Sequence, residues 1–150
     1  MNGAKEAYEV NEMEPVVLYY TLMGETKNAA MAIATGLGTE AVAVYSLKPS
    51  DIERLKKCDI VVFGCGSYFG MPPERALEFV DLLPKGEGRK AAVFCVGWMI
   101  IGGALDALAK RLEDRGYVVV AKKLKRRFFS PVSREDRGLI GFGRKLREGV

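Results

Sequence analysis

The chain has 150 residues, enough for one domain with a single core, and 49% of them are apolar against 28% charged. It contains no histidine, which excludes His-based acid–base catalysis, His-ligated metals and Ser–His triads; its three cysteines have neither metal-ligand spacing nor the pattern of a disulfide framework. A net charge of +4 is concentrated late, in residues 122–127 and 134–147, and no apolar run approaches the ~20 residues that span a bilayer.

Residues 1–14 carry Glu6, Glu9, Glu12 and Glu14 and lack the apolar core of a signal peptide. They are expected to form a partly disordered extension on a cytoplasmic protein, with residues 15–150 as the folded domain. From there apolar runs alternate with helical patterns to the end of the chain. Strands are expected at 16–21, 41–45, 59–65, 91–97 and 117–124, and helices at 27–37, 50–56, 73–83, 103–115 and 133–148. The first, third and fourth strands are almost continuously apolar, as in strands covered on both faces. In the fourth helix Leu105, Leu108, Ala109 and Leu112 recur at helical spacing, and Gly116 follows Arg115 as a terminating glycine. Ser50 is the expected cap of the second helix. Five strand-then-helix units with short links imply a parallel sheet with helices on both faces and right-handed crossovers. Ligands of such sheets sit beyond the carboxyl ends of the strands, where the strand order reverses.

Three strand ends therefore carry the functional argument. The first strand runs into Thr21-Leu22-Met23-Gly24-Glu25-Thr26 and then at once into an Ala-rich helix. A strand that breaks into a helix N-terminus gathers free N–H groups and the positive end of the helix dipole, which suits a phosphate. The third strand runs into Gly64-Cys65-Gly66-Ser67-Tyr68-Phe69-Gly70, with small residues that admit a flat ligand and aromatics to cover it. The fourth runs into Gly97-Trp98-Met99-Ile100-Ile101-Gly102-Gly103 and holds the single tryptophan. Asn28, in the first helical turn, is a further candidate phosphate contact, and Lys27 is expected to face solvent. Cys65 and Cys95 end neighbouring strands and read as small buried thiols, with a redox pair as the alternative.

In these three loops the chain resembles the flavodoxin family, whose phosphate loop reads Ser/Thr-x-Thr-Gly-x-Thr. Gly64, Tyr68, Gly70 and Pro72 fall in step with the family's second loop, and Gly97-Trp98 and Gly102-Gly103-Ala104 with its third. Met23 replaces the middle threonine, and Cys65-Gly66 replaces the family's Ser-Pro. The resemblance implies a short-chain three-layer α/β/α sandwich with a five-stranded parallel sheet of order 2-1-3-4-5. It further implies non-covalent FMN, with Thr21, Leu22, Met23, Gly24, Glu25 and Thr26 around the phosphate. Gly64, Cys65, Gly66, Ser67, Tyr68, Phe69, Gly97, Trp98 and Met99 would then bracket the ring. The implied role is electron transfer between redox partner proteins rather than stand-alone catalysis, with no metal. The basic surface suits an acidic partner. Nucleic acid is disfavoured because no aromatics interleave the basic run. Two alternatives stay open: a flavin-dependent quinone or protoporphyrinogen oxidoreductase on the same fold, and a flavin-free adaptor or signalling domain.

Overall fold

A computed structural model describes residues 13–21, 24–67, 70–97, 102–127 and 130–149. Five strands, β1 (Pro15–Tyr20), β2 (Ala41–Ala43), β3 (Ile60–Gly66), β4 (Lys90–Gly97) and β5 (Val118–Arg126), form one sheet. All pairings are parallel and the order is β2-β1-β3-β4-β5. The helices among the described residues are α1 (Glu25–Leu37), α2 (Pro49–Lys57), α3 (Glu74–Leu82), α4 (Gly102–Asp114) and α5 (Arg137–Arg147). This is the expected doubly wound architecture.

Strand alternation divides the core into two layers. Val16, Leu18, Val61, Phe63 and Val93 face α2, α3 and α4, where Leu55, Val80, Leu108 and Leu112 meet them. Val17, Tyr19, Val62, Ala92 and Phe94 face α1 and α5, where Ile33, Leu37, Leu139 and Leu146 complete the packing. β1, β3 and β4 are buried along nearly their whole length, which is why their sequences read as unbroken apolar runs.

Several boundaries differ from the sequence expectation, each for a local reason. β2 ends at Ala43 because Val44–Ser46 turns into a short 3-10 helix. Ser50 does not cap α2: Pro49 occupies the first helical position, and the Asp51 carboxylate accepts from the Lys48 backbone N–H at 2.9 Å. Residues 133–136 form a turn in which the Ser133 hydroxyl accepts from Glu135 N–H. α5 therefore starts only at Arg137, with Asp136 as its cap accepting from Leu139 N–H at 3.0 Å. β5 continues to Arg126, and a bulge shifts its register between Ala91 and Ala92 of β4. A bulged, lysine-bearing edge strand discourages pairing with other chains. Glu14 is already tied to Asp59, its N–H donating to Oδ2 at 2.7 Å.

Helices α1 and α5 approach each other closely. A Cβ on Gly36 would overlap the Ile140 carbonyl oxygen, and one on Gly143 would overlap the Ile33 carbonyl oxygen. The two helices meet backbone to backbone. Gly141, in the same helix as Gly143, has open space where its Cβ would be. Replacing Gly143 with Ala is expected to destabilise the fold by about 1–3 kcal/mol through overpacking. Replacing Gly141 with Ala should stabilise it by about 0.5–1 kcal/mol through helix propensity alone. Urea denaturation midpoints of the two variants check this opposite pair of signs.

Candidate functional site

The parallel register brings the carboxyl ends of β1, β3, β4 and β5 to one edge. Tyr20, Cys65, Cys95 and Leu124 stand side by side across it. β1 lies between β2 and β3, so the chain order reverses beside it, and the turn after β1 opens at that switch point.

The turn is closed by its own residues. The Thr21 hydroxyl accepts from Gly24 N–H at 2.9 Å, which leaves its own proton to donate. Gly24 caps α1 in a left-handed conformation with φ 92°, and no side chain caps the helix. A Cβ on Gly24 would meet nothing, so glycine serves the backbone angle there and not the space. Glu25 and Thr26 belong to the first turn of α1. Thr26 is 4% exposed, a buried polar residue whose hydroxyl has no hydrogen-bond partner among the described residues. No fully buried side-chain oxygen goes unpaired among the described residues, so this hydroxyl retains some exposure. Leu22 and Met23 lie outside the described residues.

The second and third loops start side by side. Ser67 N–H donates to the Val96 carbonyl at 2.9 Å, and Arg127 N–H donates to the Gly97 carbonyl at 2.8 Å. Gly103 opens α4 against the second loop, so that its Cβ would lie 3.0 Å from the Gly70 oxygen. Tyr68, Phe69, Trp98 and Met99 lie outside the described residues. Gly64 has a different reason for being glycine than the approach of a ligand. Its register partner is Phe94, whose ring occupies the space a Cβ would need. Cys65 also turns inward: its thiol lies in the α3–α4 layer, 3.9 Å from the thiol of Cys95, and both are free and buried. Only the backbone of Cys65 can face a ligand at the strand end.

Asn28 is engaged elsewhere. Its side-chain amide donates to the Val132 carbonyl at 3.1 Å, tying the segment before α5 to the first turn of α1. Lys27 is exposed, as expected. A residue that the sequence reading absorbed into the basic run emerges at the turn itself. Arg127 forms an ion pair with Glu25, its Nε 2.9 Å from Oε1. Two residues earlier, within β5, Lys125 pairs with Asp136 at 2.7 Å. Burial acts to raise the Asp136 carboxyl, but Lys125 and the Leu139 N–H outweigh it and hold the group below the ordinary carboxylate value. A strand period of two, counted back from Lys125 through Arg127, would have separated these cations from Arg126. Among the described residues no cluster of three or more His, Cys, Asp or Glu suits a metal, and no helix is long and apolar enough to cross a membrane.

The cysteine pair yields a direct expectation. The hydrogen bond with Cys95, together with burial, pushes the Cys65 thiol well above its ordinary value of 9.0. Burial pushes Cys58 up to about 11. The native fold therefore holds these groups as thiols. It loses stability relative to the unfolded chain once pH rises past the ordinary thiol value. Iodoacetamide should leave Cys58 and Cys65 largely unmodified in the native protein at neutral pH and label them after unfolding. Rapid native labelling of Cys65, read by mass spectrometry, would contradict this placement.

The flavodoxin family model matches residues 17–140. A flavodoxin of Maridesulfovibrio salexigens is 28% identical over 121 residues, covering 73% of this chain and 83% of that protein. A putative diflavin flavoprotein of a Nostoc species is 34% identical over 134 residues, covering 82% of this chain and 23% of that protein. A solved flavodoxin from the domain Archaea superposes with a TM-score of 0.71 at 18% identity, covering 89% of this chain and 96% of that one. The reversal of strand order beside β1 and the match along residues 17–140 have one reading: this chain belongs to the flavodoxin family, whose cofactor is FMN.

Proposed function

We propose that this chain binds one FMN at the strand-end edge and carries electrons between redox partner proteins. The observation that carries the reading is the 21–26 turn. It offers a helix N-terminus without a side-chain cap, a glycine in a conformation other residues resist, and the unpartnered hydroxyl of Thr26, a largely buried residue. A phosphate ester fits these donors, because its anionic oxygens accept from free helix N–H groups and from a hydroxyl that has no protein partner. Thr21 keeps a proton to donate to the same group. Gly66, Ser67 and Gly97 begin the two loops that would flank the ring, with Tyr68 and Trp98 as the flat partners. FMN supplies the redox chemistry when bound, and the protein supplies binding, orientation and exclusion of water. Positive charge in residues 122–127 and 134–147 supports an acidic partner, through steering more than through affinity.

A second reading is favoured by the Nostoc relative, in which the matching stretch is 23% of a diflavin flavoprotein. There the domain would pass electrons to a fixed neighbouring redox unit rather than to a diffusing partner.

Titration of the purified protein with FMN, followed by quenching of flavin fluorescence, tests the cofactor. Saturable one-to-one binding is expected, and its absence contradicts the proposal. Replacing Thr26 with Val should weaken FMN by about tenfold, the scale of one hydrogen bond to a charged group, while riboflavin affinity stays unchanged. Equal losses for both ligands would place the phosphate elsewhere.

A further inference from the structure

We propose that Arg127 is a phosphate-recognition residue of this chain: held to Glu25 through Nε, it turns its terminal guanidinium nitrogens toward the phosphate of bound FMN. The inference rests on the reading of the 21–26 turn as the phosphate site, and it adds a residue from the far edge of the sheet.

Arg127 directly follows β5, and its backbone N–H is fixed to the Gly97 carbonyl at 2.8 Å. That bond places Arg127 beside the start of the third loop. The alternation that sends Lys125 to Asp136 at the head of α5 also sends Arg127 to the α1 side of the sheet. There it meets Glu25 in the first turn of α1, Nε to Oε1 at 2.9 Å. The ion pair brings Nε to the carboxylate, and the planar fork has two further nitrogens. The terminal nitrogens have no hydrogen-bond partner among the described residues, and the side chain is 48% exposed.

Glu25 explains why a cation is needed there. A carboxylate in the first turn of a helix is favourable on its own, but beside a bound dianion it repels. Arg127 neutralises Glu25 and still carries two nitrogens in the geometry that a phosphate accepts. Glu25 is thus a positioning residue, and Arg127 is the group that reaches the ligand. The unpartnered hydroxyl of Thr26, one residue further into the same turn, marks where that ligand lies. The consequence is specificity: the chain would separate FMN from riboflavin by charge as well as by the helix N-terminus.

The test compares FMN and riboflavin affinities of wild type, Arg127→Gln, Arg127→Lys and Arg126→Gln by fluorescence titration. Thermal melting monitors the fold of each variant. Arg127→Gln should lose about tenfold in FMN affinity and nothing for riboflavin, the scale of a charge-assisted bond at a partly exposed site. Arg127→Lys should recover only part of the loss, because an ammonium keeps the charge without the fork. Arg126→Gln removes the same charge from the neighbouring position and should leave FMN within about twofold of wild type. Three results overturn the inference while the flavin reading stands: Arg127→Gln binding FMN like wild type, FMN and riboflavin weakening together, or Arg126→Gln matching Arg127→Gln. Failure of wild type to bind FMN at all would instead remove the flavin reading, and this inference with it.

Discussion

The backbone contact between α1 and α5 fixes where the candidate ligand site lies. Gly36 and Gly143 let the helices approach until carbonyl oxygens occupy the space of side chains. Glycine lowers helix propensity, so two of them in facing helices are a local cost that the close crossing must offset. The helix held this way carries the 21–26 turn at its N-terminus. Its other end is fastened as well: Arg147 donates to the Leu37 carbonyl, a cation on the negative end of a helix dipole. Near its start, Asn28 binds Val132. α1 is therefore pinned along its length, and its N–H groups point at one spot beyond β1.

Charge is distributed with the same economy of place. The cations of β5 are not a uniform stripe. Lys122 pairs with Asp106, Lys125 with Asp136 and Arg127, just past the strand, with Glu25, so the segment reaches α4, the cap of α5 and α1 in turn. Exposed pairs of this kind add little stability each. Their effect is to decide which charges are left for a partner or ligand. Lys123 and Arg126, between the pairs, take no part in these bridges and carry the outward positive character.

Much of the architecture was legible because burial leaves a strong trace in sequence. Unbroken apolar runs in β1, β3 and β4 announced strands covered on both faces, and short helical units between them announced parallel pairing. Helix starts were harder. Pro49 starts α2 ahead of Ser50, with Asp51 reaching back to the Lys48 N–H, and Asp136 rather than residue 133 caps α5, offsets that composition alone does not give. Gly64 looked like an opening for a ligand and is an opening for the Phe94 ring, a distinction that depends on cross-strand register. Arg127 was hidden in a basic run, and its meeting with Glu25 joins residues roughly a hundred positions apart, beyond any local pattern. Met23, Tyr68 and Trp98 lie outside the described residues.

The most direct measurement is an amide NMR spectrum of the protein recorded with and without FMN. The account predicts that the backbone amides of Gly24, Glu25, Thr26 and Lys27 shift together on binding, and that riboflavin fails to reproduce those shifts. FMN binding that leaves these four amides unmoved, or moves them equally with riboflavin, would contradict it.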